Sequence, residues 1–425
     1  MKALVIGSGG REHSICAKLA QSKNISSVCC APGSSGISQV AKCIDIDVCD
    51  FERLSEFAVS ENIDFTFVGT EVPLSQGISD FFKAKGLKII APSQQASRLE
   101  SSKVYAKEFM KKYDIATANF RSFGNADDAF KFLESWPQSK KVVIKADGLA
   151  AGKGVYICDG IVDAKKIVDN LMNKRVLGVS GAKIIIEEFI DGSELSYLVF
   201  TDGVSYSLMP VSQDYKRVND NDEGANTGGM GSYAPVPSVS KKFNERVENE
   251  IIKKVFAGIK AENLDYSGVL YVGVIINVDK PYVLEFNCRL GDPETQSVLP
   301  LLETDFSDIC TAILNKKLFS TEIIWKNEFA VCVVLASSGY PAVFEKGFEI
   351  KGLNNIDTAS SFVFHAGTSL KNGKFYTNGG RVLNVVCVGK SLKCTIDNAY
   401  NQVKKLHFEG MHYRRDIARK ALKEV

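Results

Sequence analysis

Histidine is scarce, with four in 425 residues, and the eleven cysteines are scattered singly apart from the neighbours Cys29 and Cys30. No CxxC pair and no ligand-like Cys/His spacing occurs, which argues against a zinc site. Without a disulfide-type framework, the cysteines read as small core residues in a reducing compartment. An excess of charge of one sign is also missing. The 52 basic and 50 acidic residues leave +2, which offers no steering toward nucleic acid or an anionic membrane. No apolar run reaches the roughly 18 residues that a membrane-spanning helix needs. The chain opens MKALVIG, directly in a strand, with no signal or transit pattern, so the cytoplasm is the expected compartment. Internal repeats and low-complexity linkers are absent too, so the structural units should pack tightly.

What remains is an ordinary soluble globular composition, 45% hydrophobic and 24% charged, in a chain too long for one core. The first hundred residues alternate short apolar runs (2–7, 27–32, 64–69 and 88–92) with helical patterns (11–20, 51–62 and 78–86). That alternation predicts a doubly wound parallel α/β domain. One long helix over about 93–113 should lead out of it into a compact unit over 121–190. This unit reads as strand, glycine loop, strand, helix and strand. Residues 194–325 read mostly as strands with helices near 240–261 and 296–316. A last block, 326–425, reads as short strands and turns closed by two helices. The predicted domains are therefore 1–102, 103–325 with a subdomain at about 121–190, and 326–425.

Four stretches carry chemistry. GSGGREH, Gly7–His13, follows the first strand, where glycines such as Gly9 and Gly10 let a backbone approach a phosphate. Glu12 stands where the dinucleotide fingerprint has its third glycine, and the second strand ends Ala31-Pro32-Gly33 with no acid. A monophosphate, a sugar phosphate or a plain tight turn fits better than NAD. Glu71, in GTEVPL, should lie at the same carboxyl edge of the sheet.

The second stretch, VIKADGLAAGKGV, looks like a Walker A loop but fails at two points. Gly148 and Gly152 are separated by three residues rather than four, and Gly154 follows Lys153 where a hydroxyl is required. With Lys145 closing one strand and another strand following, it reads as a hairpin flap whose amides cradle phosphates and exclude water. A Gly-rich hairpin with solvated lysines is the alternative. Downstream, KIIIEEFIDGSELS offers backbone at Glu187, Glu188, Phe189 and Ile190 to bracket an adenine, with Glu194 in reach of a ribose.

In the third, VLEFNCRLGDPETQ, strand alternation puts Glu285, Asn287 and Arg289 on one face. A carboxylate and an amide oxygen two residues apart suit a hard, oxygen-ligated divalent ion. The guanidinium beside them suits a carboxylate or phosphoryl group. A half-exposed strand with an Arg–Glu surface pair is the other reading. Finally Ser212–Pro237 lacks apolar periodicity over 26 residues, so it reads as a long functional or disordered loop containing Asp214, Lys216 and Arg217.

In this order, GxGGREH, KADGLAAGKGV, SQDxKR…NTGGMGxYxP and EFNxRxGDPETQ resemble the glycinamide ribonucleotide synthetase (phosphoribosylamine–glycine ligase) family of ATP-grasp enzymes. The resemblance extends to FHAGT (364–368) and TNGGRVL (377–383), and departs at Thr70 and Ser101, where the family usually has Pro and Gly. It implies an ATP-grasp core with an inserted flap, between the N-terminal α/β domain and a small C-terminal domain. It also implies ATP-dependent ligation of glycine to 5-phosphoribosylamine, with Mg2+ or Mn2+, by a monomer or weak homodimer. Carried over by motif, Lys103, Lys145 and the Gly148–Gly154 loop, with Gly152 and Lys153, would hold the ATP phosphates. Glu187 to Ile190 would frame the adenine and Glu194 the ribose, while Glu285 and Asn287 would hold the metal. Gly9, Gly10, Glu71 and Arg381 would surround the sugar phosphate. Arg289 would steady glycine's carboxylate, with Asp214 the candidate anchor for its ammonium and Lys216 beside it. Another ATP-grasp ligase, a biotin-dependent carboxylase, a dinucleotide oxidoreductase and a non-catalytic nucleotide sensor are the rivals. The NTGGMG and GDPETQ strings weigh against the first two. Glu12 and the missing acid after the second strand weigh against the oxidoreductase, and a metal face beside Arg289 against the sensor.

Overall fold

A computed structural model describes residues 1–150 and 154–423. The N-terminal part runs β1 (Lys2–Gly7), α1 (Gly10–Ala20), β2 (Ser27–Pro32), β3 (Lys42–Cys43), α2 (Phe51–Ser60), β4 (Phe65–Val68), α3 (Glu71–Ser75), α4 (Ile78–Ala84) and β5 (Ile89–Ile90). Its strands are all parallel, in the order β3-β2-β1-β4-β5. Ala3–Ile6 and Phe65–Val68 are buried, as expected of strands covered on both faces. The order reverses beside β1, so the loops after β1 and β4 form the crevice where open α/β sheets take ligands. The two-residue β3 carries no periodic signal and was not anticipated.

The single helix expected over 93–113 is two, α5 (Arg98–Ser101) and α6 (Lys103–Lys112). Ser102 breaks it with φ −134° and ψ 109°, and its hydroxyl accepts the Tyr105 N–H at 3.1 Å. Serine offers the backbone this competing bond, so an apolar period can continue across a real helix boundary. The break turns Lys103 toward the later part of the chain.

The inserted subdomain contains β6 (Phe120–Phe123), α7 (Ala126–Glu134), β7 (Val142–Ala146), β8 (Val155–Cys158), α8 (Ile161–Val168) and β9 (Ile184–Glu188), with sheet order β6-β9-β7-β8. The sequence reading missed α7. Its start is legible in hindsight, because the Asn125 side chain accepts the Asp128 N–H and acids fill the first turn. The glycine stretch is indeed a hairpin, with Lys145 opposite Val155. Gly152 and Lys153 lie outside the described residues.

Next come β10 (Ser193–Thr201), β11 (Tyr206–Leu208), β12 (Gln213–Asp214), β13 (Arg217–Asn219), β14 (Glu223–Asn226), β15 (Gly231–Ala234), α9 (Lys241–Val247), α10 (Lys253–Ala261), β16 (Gly268–Asn277) and β17 (Lys280–Asn287). The long loop of the sequence reading is thus four short strands. Backbone pairing needs no apolar alternation when another segment clamps the hairpin. Here Arg414 is buried and donates to the Arg217 carbonyl at 3.1 Å, while His412 Nε2 lies 2.7 Å from the Val218 carbonyl. The helix expected near 296–316 is likewise split, into α11 (Glu294–Val298) and α12 (Phe306–Leu314).

The C-terminal part holds β18 (Phe329–Ala336), β19 (Ser361–His365), β20 (Thr368–Lys371), β21 (Lys374–Thr377), β22 (Arg381–Gly389) and α13 (Leu392–Val403). Among the described residues, α13 and a short 3-10 turn, Lys420–Lys423, stand where two closing helices were expected. Two sheets matter for the site. One runs β11-β10-β16-β17; the other, β12-β15-β18-β22-β19, joins strands from before and after residue 326. One apolar core accordingly contains Leu99 and Phe109, Val199 and Leu270, and Val331, Val385 and Ile417. Among the described residues no helix is long and apolar enough to cross a membrane.

The NTGGMG and GDPETQ motifs meet at Gly229. It has φ +106°, and a Cβ there would lie 2.3 Å from Pro293 Cδ. Gly229→Ala is expected to lose about 1–3 kcal/mol from the backbone conformation alone. A denaturant midpoint equal to that of the parent chain would show that this contact does not constrain the fold.

Candidate active site

A cleft of about 720 Å³ opens between the starts of α1 and α3 (Arg11 and Glu71), the β7–β8 hairpin, the β10–β17 sheet and the C-terminal segment. Its lining includes Lys103, Lys145, Glu187, Asp214, Glu285 and Arg289, which lie far apart in sequence.

At the hairpin end, Lys145 Nζ lies 2.5 Å from one oxygen of the buried Glu187 and donates to the Leu284 carbonyl at 3.1 Å. Lys107 Nζ lies 2.6 Å from the other oxygen of Glu187. Burial pulls the Lys107 ammonium down to about 8, although Glu187 opposes the shift. Burial also lowers Lys103, which donates to the Gly148 carbonyl at 3.2 Å. Gly148 has φ +117°, so the turn over these lysines depends on glycine. The β9 backbone is engaged in sheet pairing through Glu188, whose N–H donates to the Asn119 carbonyl. Backbone suited to bracketing a base therefore starts at Phe189 and Ile190, rather than at Glu187. The Glu188 carboxylate points to Asn119, accepting from its main chain and side chain at 3.0 Å.

The β17 face carries Glu285 and Asn287. Burial alone would raise the Glu285 carboxyl, but Lys216, Lys103 and Lys145 hold it below its ordinary value. Lys216 donates to Glu194 at 2.8 Å, so the acid expected at a ribose is paired within the protein. Asp214 is different: burial pushes its carboxyl up to about 8, with Lys216 opposing the added repulsion of Glu294, Glu194 and Glu285. Glu294 accepts from Ser196 Oγ at 3.0 Å, and that hydroxyl also meets Tyr271 Oη at 3.0 Å. Such a carboxylate-rich floor suits a cation. Asn287 Oδ1 accepts one bond from Arg289, at 3.0 Å, and keeps a second lone pair. Among the described residues no three His, Cys, Asp or Glu side chains gather to hold an ion on their own. The Glu285 carboxylate and the Asn287 amide oxygen are of the kind a hard ion takes while retaining water and substrate oxygens.

Arg289 lies just past the end of β17, with Nη2 2.8 Å from Glu100 and Nε 3.3 Å from Glu71. Burial would raise the Glu71 carboxyl, but Arg289 and Arg11 hold it at about 2. The first glycine loop differs from expectation. The Gly9 N–H donates to Glu12 at 2.7 Å, and a Cβ on Gly10 would lie 2.3 Å from the Asn384 amide nitrogen. Neither glycine lines the cleft, because Glu12 caps α1 from within and takes the amide meant for a phosphate. Arg381 does line it, as the first residue of β22 rather than in a turn. Its Nη2 lies 3.1 Å from Asp292, and its Nη1 donates to the Gly228 and Asp292 carbonyls at 2.6 and 3.0 Å.

Sequence reasoning missed Glu100, Lys107, Arg11, Tyr271, Asp292 and Glu294. Lys107 was findable, four residues after Lys103 and thus on the same helical face. Asp292 and Glu294 stood inside a quoted motif. Glu100 and Tyr271 give no local signal.

A flap hairpin facing an antiparallel sheet with acids and amides along one strand is the arrangement of the ATP-grasp class. The biotin carboxylase domain of Hydrogenobacter thermophilus 2-oxoglutarate carboxylase shares this fold. Its TM-score is 0.77 over 97% of this chain and 91% of that one, at 15% identity. More specific matches run along the whole molecule: phosphoribosylglycinamide synthetase N domain over residues 1–100, ATP-grasp (A) domain over 101–295 and C domain over 330–420. The phosphoribosylamine–glycine ligase of Caldanaerobacter subterraneus subsp. tengcongensis is 49% identical over 419 residues, covering 98% of this chain and 99% of that protein. The crystal structure of phosphoribosylamine–glycine ligase from Thermotoga maritima gives a TM-score of 0.84 at 34% identity, covering 98% of this chain and 100% of that one. The chain belongs to the phosphoribosylglycinamide synthetase family.

The raised Asp214 carboxyl has a measurable consequence. Between its ordinary 3.8 and about 8, the folded protein keeps a proton that the unfolded chain has lost, so this group makes stability fall as pH rises through that window. Asp214→Asn removes the effect. The variant's melting temperature relative to the parent should therefore rise between about pH 5 and about pH 8.5. A difference that stays constant or shrinks would show that the carboxyl is not crowded as described.

Proposed function

We propose that the protein joins glycine to the amine of 5-phosphoribosylamine, converting ATP to ADP and phosphate and giving glycinamide ribonucleotide, a step of purine biosynthesis. What carries this reading is the meeting, in one cleft of a member of this family, of the paired lysines Lys103 and Lys145, the Glu285–Asn287 face and the Arg289 guanidinium.

Glycine's carboxylate is a poor electrophile, since its charge repels an amine and oxide is a hopeless leaving group. Transfer of the γ-phosphoryl group of ATP to one carboxylate oxygen gives glycyl phosphate, with phosphate as the leaving group. Lys103, which donates to the Gly148 carbonyl, and Lys145, in the same cleft, are the groups that would neutralise the triphosphate. When bound on Glu285 and Asn287, Mg2+ or Mn2+ supplies further neutralising charge. Phe189 and Ile190 bracket the adenine, and Glu194 exchanges Lys216 for the ribose hydroxyls. Arg289 orients the accepting carboxylate, and Asp214, in its carboxylate-rich surroundings, receives the glycine ammonium beside Lys216. Glu71 and Arg381 flank the sugar phosphate. The amine then attacks the acyl carbon, the C–O bond to phosphate breaks, and the nitrogen gives up a proton as the amide forms. The hairpin keeps water from hydrolysing glycyl phosphate first.

The tracer experiment is direct. Glycine labelled with ¹⁸O in its carboxylate, incubated with ATP and fresh phosphoribosylamine, should place one labelled oxygen in inorganic phosphate for each amide formed. Label-free phosphate would exclude the acyl-phosphate route, and absence of ADP formation would exclude the ligase reading altogether.

Glu285→Gln removes the carboxylate that Lys216, Lys103 and Lys145 face. A turnover loss of about 10²-fold or more is expected, the scale of losing one preorganised charge. Near-normal turnover at saturating Mg2+, with folding verified by circular dichroism, would remove Glu285 from the site.

A further inference from the structure

The Arg289 guanidinium is held on three sides. Its Nη2 meets Glu100 Oε1 at 2.8 Å and donates to Asn287 Oδ1 at 3.0 Å, while Nη1 donates to the Leu290 carbonyl at 3.1 Å. Nε is buried and has no hydrogen-bond acceptor; Glu71, 3.3 Å away, is not aligned to receive it. The Arg289 side chain nevertheless lines the cleft and is 15% exposed, so the orientation of the whole guanidinium decides what it presents there.

Glu100 fixes this arrangement. It lies in α5, the short helix that ends at Ser102, and its side chain is only 7% exposed. Its second oxygen accepts the Cys288 N–H at 2.7 Å, so the same carboxylate grips both the guanidinium and the backbone just before it. Glu71 is the competitor, with a side chain 26% exposed and close to Arg289 and Arg11. A guanidinium prefers a two-pronged pairing with a carboxylate. If Nη2 were released, Arg289 would turn to pair with Glu71 through two nitrogens, and the guanidinium would no longer be free to pair with a substrate carboxylate.

We infer that Glu100 is a positioning residue, which holds Arg289 away from full pairing with Glu71 and keeps its guanidinium turned toward the carboxylate of glycine. Glu100 touches no substrate and acts through Arg289. The inference rests on the ligase reading above and goes beyond it, by assigning Arg289's orientation to a side chain from another domain.

The test is a kinetic cycle on the full-length enzyme. Glu100→Gln keeps the volume and weakens the hold on Nη2. It should lower kcat/KM for glycine by about 10- to 100-fold, the scale of a misplaced reacting group. KM for ATP should stay within about twofold, which general damage to the fold would not allow. In an Arg289→Ala background the same change should have little further effect on the residual activity, because the two residues act as one unit. Equal losses on glycine and ATP, or the same glycine-specific loss in both backgrounds, would overturn the inference. Should Glu100→Gln fail to fold, Glu100→Asp carries the test. Aspartate keeps the charge but is one methylene shorter, so it cannot reach both Nη2 and the Cys288 N–H. The same glycine-specific loss is expected, and an unchanged KM for glycine would overturn the inference. Wild-type protein that forms no ADP with both substrates would remove the ligase reading and this inference together. Active wild-type with an unaffected Glu100→Gln removes this inference alone.

Discussion

Charge taken out of water has to be answered by opposite charge, and the cleft is organised by that requirement. Arg289 is answered by Glu100 and Glu71, and Glu187 by Lys107 and Lys145, with partners drawn from separate stretches of the chain in each case. A buried ion with one partner missing is costly, so these clusters form together or not at all. They fix where the N-terminal crevice, the inserted hairpin and the β17 face stand relative to one another. The side chains available for substrate are therefore already oriented.

The same logic separates two kinds of carboxylate. Glu71 and Glu285 face guanidinium or ammonium groups that hold them ionised. Asp214 stands beside Lys216 but among Glu294, Glu194 and Glu285, and burial with their repulsion raises its carboxyl. Perturbed carboxyls of this kind are typical of functional positions.

Backbone geometry reinforces the charge network. Because β12 and β15 belong to the sheet of β18, β22 and β19, the segment carrying Asp214 and the NTGGMG motif is fastened to the C-terminal part of the chain. Arg381 and Asp292 tie the same regions across the cleft mouth. Residues 326–425 thus form one wall of the site, although the sequence presents them as a separate block.

Elements with strong period and motifs with rigid local grammar were legible along the chain alone. The parallel N-terminal sheet, the glycine hairpin and the Glu285–Asn287 face all rest on interactions within a few residues or on simple alternation. So does the failure of the dinucleotide and Walker A patterns, since each needs a glycine or hydroxyl at one fixed position. The helix break at Ser102, the capture of the Gly9 amide by Glu12 and the folding of the 212–237 stretch into strands were decided by competing hydrogen bonds that composition does not rank. Only the tertiary structure could place Glu100 behind Arg289 or Lys107 behind Glu187. A charge's partner is chosen by distance in space and by the cost of leaving water, and neither is written in the spacing of residues along the chain.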